Sequence, residues 1–285
     1  MKIAAVLVLA LAGTAMAQTL DGTRDGSYAN LFSQNNQTGF GDNFSELNNF
    51  SWSSSGGNLY IFVGGNIENN GNRMVFFFGT SNAGQSTLSG LSGDGSERLG
   101  VTFDAGFGNA SRMISANNGS GTLYVNHASF AGAWSYGYAG NSAVGGNAFA
   151  QDGGDTSGIQ AILNNSNTGG VTGGSGTFDP NVSGAVSTGL ELCIPLAWLG
   201  YTSGPITVAG WVAGGNYGYA SNQFVGGFQG GQGNLGSDGN GNYVDATTNF
   251  DLNDFDGDQY VTIVPTPGVA GLLGLGALAM GRRRR

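Results

Sequence analysis

Positive charge is scarce in this sequence. Lysine does not occur after Lys2, and half of the eight arginines stand together at the C-terminus. Between residues 18 and 265, four arginines stand against 18 acidic residues, which gives this part of the chain a net charge of −14. Nucleic-acid binding depends on clustered Lys and Arg, so this class of function is excluded. The charge favours neutral partners such as sugars, or divalent cations.

Cysteine and histidine occur once each, as Cys193 and His127. A single cysteine cannot form an intramolecular disulfide, and the apolar neighbours of Cys193 indicate a buried thiol. A Ser-His-Asp triad would depend on His127, which lies in a segment without a recognisable nucleophile elbow. No carboxylate pair of the kind that glycosidases use stands out among the 18 acids. We therefore expect no catalytic residues and no enzymatic activity.

Long amphipathic helical patterns are also absent. The chain instead has 55 glycines, and short runs of β-branched and aromatic residues lie between turns rich in Gly, Asn and Ser. Such runs predict strands. The runs at 58–63 and 73–78 flank a turn-rich connection and are expected to be neighbouring strands. Residues 196–200 predict one helical turn closed by Gly200. The remaining predicted strands are 99–103, 112–115, 122–128, 133–139, 159–163, 189–194, 206–213 and 259–264.

The aromatic content is sufficient for a sizeable core, since the chain has 17 Phe, 10 Tyr and 4 Trp. No internal linker or block of charge marks a boundary within the body of the chain, so one domain is expected. We therefore predict an all-β fold, a single jelly-roll-like β-sandwich over residues 18–263.

The N-terminus is set apart from this body. A basic start, apolar residues 3–12, and the small residues Ala15 and Ala17 before Gln18 form the three regions of a secretory signal peptide over residues 1–17. We expect signal peptidase to cleave between Ala17 and Gln18, so the body of the protein is exported across the inner membrane.

The C-terminal segment, residues 264–285, combines turn-forming residues, a 13-residue apolar run and a basic stop. The turn residues are Val264, Pro265, Thr266, Pro267 and Gly268, and the stop consists of Arg282, Arg283, Arg284 and Arg285. As a helix the apolar run spans about 20 Å, which is shorter than the roughly 30 Å hydrocarbon core of a bilayer. We expect this short hydrophobic helix to anchor the chain transiently, with its arginines on the cytoplasmic side.

This terminal layout resembles the PEP-CTERM sorting signal of Gram-negative bacteria, except that Thr266 stands between the two prolines where that signal usually has an acid. The resemblance implies processing by an exosortase-type membrane enzyme, after which the protein lies at the cell surface or outside the cell. It also implies a link to exopolysaccharide or biofilm, which carriers of this signal often have.

The body resembles DOMON-like and family 9 carbohydrate-binding-module-like β-sandwiches in an opening at 21–28, an early strand at 58–61 and a late strand at 191–196. This resemblance implies the same all-β fold. Some DOMON-like domains hold haem through Met and His, which here would need Met74 or Met113 beside the single histidine. An unliganded strand histidine is the expected state.

Sugar binding in such modules uses aromatic platforms, because the apolar face of a sugar stacks on a ring while polar side chains bond its hydroxyls. Two Tyr-Gly-Tyr sequences are the main candidates, since the glycine leaves both rings on one strand face with space beside them. The candidate platform residues are Trp134, Tyr136, Tyr138, Tyr217 and Tyr219. The alternative is that these side chains are ordinary core or sheet-surface aromatics.

Calcium is the one ion that the sequence favours, although no cofactor is expected to be obligatory. Asp254, Asp256 and Asp258 lie in an acidic turn that resembles an EF-hand loop, but its register fails: with Gly257 in the sixth position, Leu252 occupies the first. A calcium site of another type and an exposed acidic turn are the two alternatives. Asp42, Glu46 and Glu68 form a second candidate calcium site.

Together these features predict an exported, surface-sorted and non-enzymatic β-sandwich, which serves as a structural component of the cell envelope or extracellular matrix. The expected partners are signal peptidase, an exosortase-type enzyme and exopolysaccharide. The alternative is a carbohydrate-binding module that captures polysaccharide as a nutrient. The sequence leaves both functions open.

Overall fold

The computed structural model describes residues 18–41, 44–88, 100–170, 180–215, 217, 219–228, 233–235 and 250–265. Within these ranges nearly all regular structure is β, with one short helix, α1, at Pro180–Ala185. The strands are β1 (Ala29–Ser33), β2 (Glu46–Ser55), β3 (Asn58–Asn66), β4 (Arg73–Gly79), β5 (Val101–Thr102), β6 (Arg112–Gly119), β7 (Thr122–Ser129), β8 (Ser135–Ala143), β9 (Phe149–Gln151), β10 (Gln160–Leu163), β11 (Gly189–Pro195), β12 (Ile206–Ala213), β13 (Ala220–Phe224), β14 (Phe250–Asp251) and β15 (Val261–Ile263). A 3-10 turn follows β14 at Leu252–Asp254.

The strands form two antiparallel sheets, which confirms the predicted all-β fold. The first sheet has the order β1-β2-β3-β11-β10. The second has the order β13-β12-β4-β6-β7-β8-β9, and β15 also pairs with β12. Strands β6 to β9 are joined by consecutive antiparallel pairings, whereas β5 and β14 form a short parallel pair apart from both sheets.

The inward faces of the two sheets share one hydrophobic core. Ile61 and Leu192 enter it from the first sheet, and Phe76, Ile114 and Val208 enter it from the second, all with no exposed surface. Successive side chains of a strand point to opposite faces, so alternate residues of each strand supply this core. The sheets therefore pack face to face in the manner of a β-sandwich.

Strands β3 and β4 are where the sequence predicted them, but they are not neighbours. Strand β3 pairs with β2 and β11, whereas β4 pairs with β12 and β6. The prediction of adjacent strands is therefore wrong. The connection at 67–72 passes from one sheet to the other, and the side chains of Ile61 and Phe76 belong to the same core between the sheets.

Several strands were not predicted from the sequence, among them β1, β2, β9 and β13. Strand β2 is rich in polar residues, yet Asn48, Asn49 and Ser51 are fully buried. The Asn49 side-chain amide donates to the carbonyl oxygens of Ser183 and Val186, at 2.8 and 2.9 Å, next to α1. Tertiary hydrogen bonds thus allow a polar segment to form a buried strand.

The outer face of the second sheet carries a further hydrophobic layer over β13, β12, β4 and β6. Its rings contact one another in series. Phe224 is tilted against Trp211 at a centroid distance of 5.1 Å, Trp211 stacks on Phe77 at 5.1 Å, and Phe77 stacks on Phe130 at 6.3 Å. We call this the outer aromatic layer. Its covering residues come from the connections between strands, among them Phe103, Phe107, Tyr217, Phe228 and Leu252.

Candidate functional site

Beyond the outer aromatic layer, the outer face of β7 and β8 presents tyrosines. In β7, Leu123 and Val125 point into the core, so Tyr124 and Asn126 point outward. The cross-strand register places Tyr138 opposite Asn126, and Tyr136 opposite Ala128. The ring-bearing residues Tyr124 and Tyr136 are 38% and 40% exposed. The predicted pair Tyr136 and Tyr138 therefore does lie on one strand face.

Contacts within the face fix the positions of its rings. The Asn141 side-chain amide donates to the Tyr138 hydroxyl at 2.8 Å. Trp134 precedes β8 and stacks on Phe130, with 5.4 Å between ring centroids. Because Phe130 belongs to the outer aromatic layer, Trp134 joins that buried layer to the exposed tyrosines. We call Trp134, Tyr136, Tyr138 and Tyr124 the aromatic row.

A polar cluster supports β8 from its inner side. His127 Nε2 lies 2.8 Å from Asp155 Oδ1, and the other carboxylate oxygen accepts hydrogen bonds from Ser157 and Gln151. Burial raises the pKa of Asp155, but the hydrogen bonds from Ser157 and His127 outweigh it and hold the pKa below its ordinary value. The His127 ring also packs edge to face on Trp198, at 5.5 Å. The cluster engages the only histidine of the chain in structural contacts.

The second Tyr-Gly-Tyr sequence has a different environment, so the expectation that its two rings share a strand face is wrong. Tyr217 lies in a turn with φ of +62° and is only 2% exposed. Its hydroxyl donates to Ser115 Oγ at 3.0 Å, and the Arg73 guanidinium lies 4.1 Å from the centre of its ring. Tyr219 stacks on Phe40 at 5.2 Å. Neither ring belongs to the aromatic row.

The acidic turn near the C-terminus contains the three aspartates that the sequence offered as a calcium site. Asp254, Asp256 and Asp258 are all exposed. Asp251, before them, accepts a hydrogen bond from the Asn253 backbone and caps the 3-10 turn. Across the ranges that the structure describes, no group of three or more His, Cys, Asp or Glu side chains is placed to hold a metal ion.

Three arginines of the described residues bind groups within the protein. Arg24, Arg73 and Arg112 each donate to a backbone carbonyl, and each guanidinium lies over an aromatic ring. In the described part of the chain, one contact lies within ion-pair distance, 2.8 Å between His127 Nε2 and Asp155 Oδ1, and no such contact involves an arginine. No arginine therefore neutralises an acid there, and the aromatic row lies on an acidic protein.

One buried acid was not recognised in the sequence. Glu191 has no exposed surface and accepts hydrogen bonds from the backbone N–H groups of Asp21 and Gly22, at 2.9 and 3.0 Å, and from the Tyr28 hydroxyl at 2.6 Å. Burial raises the pKa of Glu191 and outweighs these hydrogen bonds. The residue anchors segment 21–28 onto the outer face of the first sheet, which is a structural role.

The predicted targeting segments lie mostly outside the described residues, including Ala15, Ala17, Thr266, Pro267, Gly268 and Arg282 to Arg285. Gln18 is described, and its side-chain amide donates to Asp25 at 3.1 Å. Val264 is 58% exposed, whereas Pro265 is buried. No helix in the described ranges has the length and apolar character needed to cross a bilayer.

Sequence reasoning missed Tyr124 as a member of the aromatic row. The strand at 122–128 was predicted, and its alternation of Leu123 and Val125 with polar residues could have placed Tyr124 on the outer face. A local pattern could not show that β7 pairs with β8 and brings Tyr124 beside Asn141.

No family model matches this chain, and neither the curated proteins nor the solved structures include a significant match.

Proposed function

We propose that this protein is an exported, non-enzymatic component of the cell surface or extracellular matrix that holds exopolysaccharide through the aromatic row. The observation that carries the proposal is the exposed outer face of β7 and β8, where tyrosine rings stand beside amide side chains. On the same sheet, the outer face over β13, β12, β4 and β6 is covered by the outer aromatic layer, whereas the tyrosines of β7 and β8 lie outside this cover.

The chemistry of the face suits a sugar chain. A pyranose presents an apolar face of C–H groups to an aromatic ring, while amides and hydroxyls bond its equatorial groups. Asn126 and Asn141 are half-buried on the same face as Tyr138 and supply both donors and acceptors. The net charge of −14 between residues 18 and 265 opposes binding of polyanions and favours a neutral polymer.

The targeting part of the proposal comes from the two chain ends. Signal peptidase would remove residues 1–17, and an exosortase-type enzyme would process the segment at 264–285 after transient anchoring by its short hydrophobic helix. The body at 18–263 would then remain at the surface or outside the cell. A jelly-roll-like connection of the strands also remains part of this proposal.

The proposed binding is tested by affinity electrophoresis in gels that contain a soluble β-glucan, xylan, glucomannan or amylopectin. We expect at least one neutral polymer to retard the wild-type protein. The double variant Tyr136→Ala/Tyr138→Ala should lose about five- to 150-fold in affinity, since each ring is worth about 0.5–1.5 kcal/mol. Tyr136 is exposed and Tyr138 is half-buried outside the hydrophobic core, so the melting temperature should change by only a few degrees.

The matched control is Phe44→Ala, which removes an aromatic ring that is 60% exposed and lies outside β7 and β8. This variant should be retarded as strongly as the wild type. Binding that survives the loss of Tyr136 and Tyr138, or an equal loss in the Phe44 variant, would contradict the proposal. Failure of all four polymers to retard the wild type would also count against it.

A further inference from the structure

We infer that the aromatic row binds an extended, neutral polysaccharide along its length, and not a chain end or a single sugar. This inference rests on the proposed function and names the form in which the polymer is recognised. It depends on the spacing of the rings, the open ends of the row, the fixed positions of its rings and the charge of the face.

The spacing of the row exceeds the size of a small sugar. Trp134, Tyr136 and Tyr138 follow one another at every second residue, which corresponds to about 7 Å per step in a strand. Tyr124 continues the row on β7, opposite Asn141. From Trp134 to the position of Asn141 the chain advances seven residues, one of which, Ala139, is the extra residue of a β-bulge, so the row is about 20 Å long. A disaccharide would cover only part of this length, so the full row is used only by a longer chain.

The ends of the row are open. Gly132 lies just before Trp134, and Gly121 and Gly145 lie near Tyr124 at the other end. A Cβ atom built on any of these three glycines would meet no heavy atom within 4 Å. A site that recognises a chain end needs side chains that block further sugar residues. The space around these three positions is what a polymer that continues past the row would use.

The rings of Trp134, Tyr138 and Tyr124 are held in place before any ligand arrives. Trp134 stacks on Phe130, and Tyr138 accepts the hydrogen bond from Asn141. The Tyr124 ring lies over Gly119, where an added Cβ would stand 3.5 Å from it. Rings that are already ordered lose little conformational entropy on binding. The stacking free energies of several rings can therefore add along one sugar chain.

The outward residues of the face carry no formal charge within the described part of β6 to β8. Those that lie outside the outer aromatic layer and carry polar or aromatic side chains are Asn117, Tyr124, Asn126, Tyr136, Tyr138 and Asn141. Arg73 lies at the border of this set, opposite Asn117, and its guanidinium is engaged by Gly215 and the Tyr217 ring. A uronic acid polymer would therefore lack a free cation on this face and would meet the negative field of the whole protein.

The test is the dependence of affinity on chain length, measured by calorimetry with the purified protein. The probes are the di-, tetra-, hexa- and octasaccharides of the neutral polymer that gives the strongest retardation, together with alginate as a polyanion. We expect the hexasaccharide to bind at least about tenfold more tightly than the disaccharide, and Trp134→Ala and Tyr124→Ala each to lower hexasaccharide affinity about three- to tenfold. Alginate should not bind measurably.

Two outcomes would overturn the inference while leaving the proposed function intact. One is a disaccharide that binds as tightly as the hexasaccharide. The other is loss of hexasaccharide binding when borohydride reduces the terminal sugar, because that result would show recognition of a chain end. Tighter binding of alginate than of the neutral probe would overturn the assignment of a neutral ligand. If no neutral polymer binds, the proposed function itself fails, and the inference fails with it.

Discussion

Gly137 lies between two tyrosines of the aromatic row, but the reason for a glycine at this position is on the opposite side of β8. A Cβ atom there would lie 2.5–2.7 Å from ring atoms of His127. His127 faces Gly137 across the β7–β8 pair and is held by Asp155. The absence of a side chain thus lets the histidine pack against the strand that presents the tyrosines.

We predict that Gly137→Ala destabilises the protein by about 1–3 kcal/mol, because the added methyl group must displace a ring that is fixed on its other side. The free energy of unfolding in urea measures this effect. The matched control is Gly153→Ala, since a Cβ at Gly153 would meet nothing within 4 Å. We expect the control to change stability by less than about 0.5 kcal/mol. Equal effects of the two substitutions would show that the contact with His127 has no energetic importance.

Among the elements, the connection between β9 and β10 is tied to the rest of the sheet through Asp155. Its carboxylate oxygens bind His127 on β7, Gln151 at the end of β9 and Ser157 in the connection itself. The pKa of Asp155 in the folded protein lies below its ordinary value of 3.8. The folded state therefore gives up this proton more readily than the unfolded state does.

The sign of the pH dependence follows from this shift. Asp155 contributes stability that is fully present above about pH 4 and is lost as the pH falls through its lowered folded pKa. We predict that Asp155→Asn lowers the free energy of unfolding by about 1–3 kcal/mol at pH 7, and that the gap to wild type narrows towards pH 3. Urea unfolding at several pH values measures the gap. Asp152→Asn, at an exposed acid of the same connection, should show no such narrowing.

Prediction of elements from sequence succeeded where β-branched and aromatic residues form continuous runs, as in β3 and β4, and failed where burial depends on distant partners. Asn49 of β2 is a polar residue that the sequence alone would place at the surface. It is buried because the carbonyl oxygens of Ser183 and Val186 accept hydrogen bonds from its side chain. The sequence also does not identify the partners of each strand, because a local pattern does not show which sheet a strand joins. This is why β3 and β4 were wrongly expected to be adjacent.

In the candidate site, too, properties that are local to one strand were predicted and properties that depend on distant residues were not. The alternation in Tyr-Gly-Tyr correctly placed Tyr136 and Tyr138 on one face, because that property is local to a strand. The same pattern was wrong for Tyr217, whose burial depends on Ser115, a residue 102 positions away in sequence. Tyr124 could be placed beside Asn141 only when the pairing of β7 with β8 was known.

For the whole molecule, the dominant electrostatic feature is negative charge without internal compensation by the described arginines. Arg24, Arg73 and Arg112 bind backbone carbonyls and lie over rings, so they do not form ion pairs with acids. Repulsion among the acids then opposes the compact state, and added salt screens it over a Debye length of about 10 Å at 0.1 M. The melting temperature should therefore increase with ionic strength.

We predict that raising NaCl from about 10 to 500 mM increases the melting temperature, by roughly 2–4 °C for each kcal/mol of repulsion relieved.

A comparison of calcium with sodium tests the acidic turn itself. Because Asp254, Asp256 and Asp258 are exposed and do not converge, a triple Asn variant should respond to CaCl2 as the wild type does, apart from the loss of three charges. Calorimetry of both proteins in NaCl and CaCl2 at equal ionic strength measures this. A rise specific to calcium that is present in the wild type and lost in the variant would establish this turn as a calcium site, and would show that its carboxylates converge on an ion.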